Sequence, residues 1–268
     1  LVDKKRGDLT IADIAGIVGV STATVSRVLA ESPNVSDATR ERVRSVIADL
    51  DYEPNHLARS LSTARTTNIG VVLEDIANPF FVEVALGAET VLRDSGYSMF
   101  LTSSSWDPNK EEELVRRLVQ NRVDGLILAP IDPEGETVQL LKRREIPFVL
   151  VNAESSDPEV SWVTTNNFHG GYLAAQALSH TPSQTLISLL GFPHQTSQAR
   201  RDGFASGVRE LGGAVLDYRP LEKVYDYEAG YECVPELIAA QRIHEVPTGI
   251  FALNDDVALG VVSSLIEH

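Results

Sequence analysis

A chain of 268 residues, 43% of them hydrophobic, can bury a sizeable core and has room for one large domain with a small one, or for two of middling size. With a mean hydropathy of -0.06 and no apolar run near bilayer-spanning length, it is expected to carry no transmembrane helix. The formal net charge of -15 by itself argues against a nucleic-acid partner, because binding phosphates needs Lys and Arg.

The distribution of charge alters that exclusion. Residues 1–66 hold nine Lys/Arg and nine Asp/Glu, so the whole -15 falls after residue 66. A balanced head on an acidic core suggests a division of labour. The opening LVDKKRGDLT has basic residues but no apolar stretch behind them, so no secretory signal is expected. The single cysteine, Cys233, can form no internal disulfide and offers no metal-ligand spacing, which suits a reducing, cytoplasmic compartment. It reads as a small buried apolar residue. Neither a metal nor another cofactor is called for.

Residues 1 to about 52 carry three short helical patterns and no strand signal. Thr10 precedes the apolar positions Ile11, Ile14 and Ala15, and Asp13 completes a capping pattern for a first helix. Gly19 can turn with positive φ. Ser21 can cap a second helix through ATVSRVL, with Val25, Val28 and Leu29 as its buried stripe. Ser36 caps a third, whose Val43, Val46, Ile47 and Leu50 hold the pair together. Arg40, Arg42 and Arg44 read as a solvated face. Two short helices about a tight turn make a helix-turn-helix, whose second helix would offer Thr22, Ala23 and Arg27 to base edges. An arginine can bond guanine O6 and N7 together, while Thr22 and Ala23 suit hydroxyl and methyl contacts. Helix spacing alone fits a generic three-helix bundle with one surface arginine equally well.

TIADIAGIVGVSTATVSRVL, NVSDATRERV and YEPNHLARSL follow one another as do the signatures of the lactose-repressor (LacI/GalR) family, which this chain resembles. The resemblance covers the first 66 residues almost continuously and the remainder more loosely. It implies a homodimeric, sequence-specific transcription regulator, expected to be a repressor, that binds a pseudo-palindromic double-stranded DNA operator. It places Thr22, Ala23 and Arg27 at base-reading positions, and Thr10, Ser21, Thr24, Ser26 and Asn34 at phosphate-positioning ones.

After the head, Pro54 stops a helix and a Ser/Thr-rich stretch reads as a linker. Within it NHLARSLS could form only two helical turns, too few to be stable alone. The resemblance implies a hinge helix that folds on DNA, with Ala58 and Leu61 among its contacts and Leu61 wedged into the minor groove. The bare alternative is a disordered linker with an incidental leucine.

From residue 68 onward, Val/Ile/Leu-rich runs alternate with helical patterns: IGVVL, YSMFLTSS, VDGLILAP, PFVLVN, LISLLG and GIFALN are the strands. This alternation predicts doubly wound parallel sheets in an α/β core of the periplasmic-binding-protein type, in two subdomains. The expected domains are 1–53 (DNA-binding head), 54–67 (hinge), 68–166 (first core subdomain) and 167–268 (second). Ligands in such sheets bind beyond the carboxyl ends of strands. That rule singles out Asp75, Asn78, Phe80 and Phe81, then Asn152, then Asn254, Asp255 and Asp256, with Arg200 and Tyr225 completing a set suited to a polyhydroxylated ligand. Each also has a plainer reading, an Asp or Asn as a helix cap and the phenylalanines as core. The resemblance implies effector contacts at Asn78, Phe80, Asn152, Arg200, Tyr225 and Asp255. A carbohydrate is the expected effector; Asn152 stands where an aspartate is common in the family and LSHTPSQTLISLLG departs from its pattern, so purines and other small metabolites are kept as alternatives.

Family members have cores whose chain crosses three times between subdomains, whereas this one ends at VVSSLIEH after the first crossing near Asn166. A C-terminal truncation that leaves the second subdomain incomplete is therefore expected, with apolar edges exposed. Two rival functions are weaker. A solute receptor of transport would need export, and an α/β enzyme should carry a phosphate-binding glycine motif, a GxSxG elbow or a clustered metal set.

Overall fold

The computed structural model describes residues 9–52, 65–180, 185–189, 194–213, 215–218, 226–241 and 247–268. The chain forms two compact units, Leu1–Thr66 and Thr67–His268.

The first unit contains α1 (Ile11–Val18), α2 (Thr22–Leu29) and α3 (Asp37–Asp49). Thr10 and Asp13 form a reciprocal capping box at the start of α1, and Gly19 ends it with φ 74°. Ser21 and Ser36 accept the backbone N–H groups of Thr24 and Thr39 at the starts of α2 and α3. Ile14, Val25 and Val43, one from each helix, are fully buried at the centre of this unit, with Tyr52 closing it.

Arg42 and Arg44 of α3 are exposed, as expected of a solvated face, and Arg40 is half-buried, but two of the three also bond backbone carbonyls. Arg42 donates to the Val18 carbonyl at the end of α1, and Arg40 reaches the Ser32 and Val35 carbonyls between α2 and α3. Arg44 alone stays on an exposed pair, with Glu31. The first two bind carbonyls that a helix end and a tight loop leave without intrahelical partners.

The second unit has two lobes. In the first lobe, β1 (Asn68–Leu73), β2 (Ser98–Ser103), β3 (Gly125–Leu128), β4 (Phe148–Val151) and β5 (Trp162–Val163) form a parallel sheet in the order β2-β1-β3-β4-β5. Its helices are α4 (Pro79–Asp94), α5 (Pro108–Gln120) and α6 (Glu136–Arg143). Alternation along β1 sends Val72 to the layer of α5 and α6, and Val71 and Leu73 to that of α4. Covered on both faces, the inner strands β1, β3 and β4 read as continuous apolar runs.

The second lobe has the parallel order β7-β6-β8, from β6 (Thr185–Leu189), β7 (Val215–Tyr218) and β8 (Thr248–Phe251). Leu186 and Phe251 face α7 (Asn167–Ser179) and α8 (Gln195–Glu210), while Ile187 and Ile250 face α9 (Tyr227–Gln241) and α10 (Asp255–Glu267). The helices of each pair pack backbone against backbone. A Cβ on Gly171 of α7 would lie 1.8 Å from the Arg200 carbonyl oxygen, and one on Gly260 of α10 would lie 2.0 Å from that of Tyr227. Strands β5 and β7 were not among those singled out in the sequence: one is two residues long and the other reads VLDY, too short for an alternation to register.

Candidate functional site

Two surfaces carry the chemistry. The first lies on α2, where Val25 and Val28 turn inward and Thr22, Ala23, Ser26 and Arg27 share the exposed side. Ser21 anchors the start of this helix by accepting the Thr24 N–H at 3.1 Å, and its hydroxyl contacts Thr24 Oγ1 at 2.9 Å. Two turns of helix thus hold Thr22, Ala23 and Arg27 in one orientation, beside backbone N–H groups suited to phosphate. Thr10 is exposed, but its hydroxyl donates to the Asp13 carboxylate at 2.6 Å. Asn34 is exposed in the loop before α3. Ala58 and Leu61 lie outside the described residues.

The second surface is a cavity of about 1080 Å³ between the two lobes of the core. Asn78, Phe80, Asn152, Arg200 and Asp255 all line it, while Tyr225 lies outside the described residues. The strand-end rule explains the gathering: α4, α8 and α10 each begin at this cavity. Asn78 also caps α4, its Oδ1 accepting the Phe80 N–H at 2.9 Å. The two plain readings of the phenylalanines divide between them: Phe81 is core at 3% exposure, and Phe80 is 41% exposed. Asn152 holds a left-handed φ of 57° at the end of β4, and its Oδ1 is buried without a hydrogen-bond donor. Arg200 is held on both sides, with Nε donating to Asn167 Oδ1 at 2.8 Å and Nη1 to the Leu253 carbonyl.

Sequence reasoning passed over Glu74, Trp106, His194 and Thr196, which line the same cavity. Glu74 follows β1 in the first lobe, and His194 precedes α8 in the second. His194 Nε2 lies 2.8 Å from Glu74 Oε1, a close ion-pair contact rather than a directed hydrogen bond. Its Nδ1 meets the Thr196 hydroxyl at 2.9 Å, and the Trp106 ring stands edge-on to the imidazole at 5.4 Å. Beside it, Gln195 makes a two-bond clasp to the first lobe, accepting the Glu154 N–H at 2.7 Å and donating to the Glu154 carbonyl at 3.0 Å.

Burial pushes the Glu74 carboxyl above its ordinary range despite the His194 contact. Burial pulls His194 down, but the Glu74 contact and the Pro130 carbonyl outweigh it, so its pKa is raised. Asp256 is raised by burial and by the carboxylates of Asp255, Asp75 and Asp226. Among the described residues no cluster of His, Cys, Asp and Glu could hold a metal ion, and no single helix is long and apolar enough to cross a membrane.

Residues 66–267 match the family of periplasmic binding proteins and sugar binding domain of LacI family, and residues 10–55 match the bacterial regulatory proteins, lacI family. Over 259 residues the chain is 32% identical to the HTH-type transcriptional repressor PurR of Actinobacillus pleuropneumoniae serotype 5b (strain L20), covering 96% of this chain and 76% of that protein. It is 33% identical over 257 residues to catabolite control protein A of Priestia megaterium, covering 95% of this chain and 76% of that one. Among solved structures, the lac repressor dimer bound to operator and the anti-inducer ONPF superposes with a TM-score of 0.83 at 23% identity, over 97% of this chain and 78% of that chain, which is a likeness of fold.

Proposed function

The chain belongs to the lacI family of bacterial regulatory proteins, and from that premise we propose that it is a homodimeric repressor of a pseudo-palindromic operator whose effector is a carbohydrate. It is a DNA-binding transcriptional regulator controlled by a small molecule. The exposed face of α2, with Thr22, Ala23 and Arg27 together, carries the reading. These three take the base edges, and Thr10, Ser21, Thr24, Ser26 and Asn34 position phosphates. Ala58 and Leu61 act at the hinge. A regulator of this kind works beside the chromosome, in the cytoplasm.

Self-association is supported by exposed apolar residues about the β2 edge of the first lobe, on both faces of the sheet. Val82 and Leu86 of α4 are 41% and 55% exposed, and Phe100 and Leu101 of the edge strand β2 are 46% and 42% exposed. Two copies paired here would cover the open edge of the sheet and bring two heads to two half-sites. The carbohydrate reading rests on the cavity. Asn78, Asn152, Arg200 and Asp255 supply donors and acceptors for hydroxyls, Phe80 offers a flat apolar face to a sugar ring, and Tyr225 is a further proposed effector contact.

Selection of bound duplexes from a random pool tests this function. The expected product is an inverted repeat whose affinity falls steeply with salt. Binding without preference among sequences at low ionic strength overturns it.

A further inference from the structure

The cavity between the lobes has a pronounced charge imbalance. Five carboxylates line it, Glu74, Asp75 and Glu83 from the first lobe and Asp255 and Asp256 from the second, against one guanidinium, Arg200, and one imidazole, His194. Both cations are already engaged by the protein. Arg200 donates to Asn167 and Leu253, and His194 sits against Glu74.

Helix N-termini attract anions, and three of them open on this cavity, which would by itself favour a phosphorylated ligand. The protein's own residues answer that preference first. Asn78 and Asn254 cap α4 and α10, Asp255 and Asp256 occupy the first turn of α10, and Glu74 lies against His194 at the start of α8. The Asp256 carboxyl is held above its usual range by burial and by three neighbouring carboxylates, one of them Asp75 from the facing lobe. A further negative charge would add to that repulsion, and a positive one would relieve it.

The vacant hydrogen-bonding capacity has the same sense. Oδ1 of Asn152 is buried without a directed donor, and the Glu74 carboxylate, engaged on one oxygen by the His194 ion pair, has a further oxygen to accept with; both residues line the cavity. Acceptors of this kind call for hydroxyl or ammonium hydrogens.

We infer that the effector is a sugar free of acidic groups, neutral or amine-bearing, whose donors meet Glu74 and Asn152, and that the cleft itself rejects sugar phosphates and sugar acids. This deepens the carbohydrate reading and rests on it.

The test is a titration of the whole chain with matched sets, such as ribose with ribose 5-phosphate, and glucose with glucosamine, glucose 6-phosphate and gluconate. The disaccharide cellobiose and the uncharged nucleoside adenosine complete the panel. Occupancy is read from the emission of Trp106 in a Trp162→Phe background and from the thermal midpoint. The expected result is binding of at least one neutral or amine-bearing sugar, with its phosphorylated or acidic counterpart weaker by about 100-fold. Asp75→Asn combined with Asp256→Asn is expected to narrow that gap. A phosphate or acid that binds as well as its parent sugar overturns the inference and leaves the carbohydrate reading standing. Response to adenosine alone upholds the charge rule and overturns the carbohydrate. Silence across the panel overturns both.

Discussion

Glu74 and His194, from opposite lobes, meet with side chains only 1% and 2% exposed, so neither can lose or gain a proton without disturbing the contact between the lobes. Both have raised pKa values, Glu74 through burial and His194 because its contact with Glu74 outweighs burial. A group whose pKa is higher in the folded chain stabilises that chain at low pH and loses the contribution as pH rises through the folded value. The loss begins above 4.5 for Glu74 and above 6.5 for His194. The thermal midpoint is therefore expected to fall between about pH 6 and pH 8, by about 2–4 °C for each kcal/mol lost. Glu74→Gln should flatten the profile. A wild-type midpoint that rises over this range would contradict the arrangement.

Adjacent glycines in α7 should respond in opposite directions. An added Cβ at Gly170 meets nothing within 4 Å, so Gly170→Ala is expected to stabilise by about 0.5–1 kcal/mol through helix propensity. At Gly171 the same atom would fall 1.8 Å from the Arg200 carbonyl oxygen, forcing α7 from α8, and Gly171→Ala should cost about 2 kcal/mol or more. Urea denaturation of both variants checks the sign at each site.

Arg42→Met removes the donor that α3 extends to the Val18 carbonyl while keeping an apolar stem. A loss of about 1 kcal/mol is expected, seen as roughly fivefold faster hydrogen exchange in the α1 amides. Exchange at the wild-type rate would leave Arg42 with only the solvated role that the sequence reading gave it.

Arg27→Ala should weaken binding to the selected operator by about 1–3 kcal/mol while leaving a weak, salt-sensitive affinity for any duplex. An equal loss on every sequence, measured by competition with random DNA, would make Arg27 a phosphate contact instead.

The head was legible because its signals are local. Thr10 with Asp13, Gly19, and the spacing of Val25 and Val28 each act within one or two helical turns, where sequence distance and spatial distance agree. The rule that sites lie beyond strand ends pointed to Asn78, Asn152 and Asp255 for the same reason: each lies in the short stretch that follows its strand. Glu74 and His194 escaped because their meaning is mutual. A glutamate after a strand and a histidine before a helix are unremarkable until two lobes bring them together. Arg42 escaped for a related cause, since its partner is a backbone carbonyl, which no residue letter announces.

Helix α8 is fastened to the first lobe at its start, by Gln195 and the neighbouring His194. Its 16 residues make a rod about 24 Å long that belongs to the second lobe. That arrangement is a lever with its fulcrum at the ligand chamber: a tilt of about 5° at the pinned end would sweep the far end, around Glu210, through roughly 2 Å.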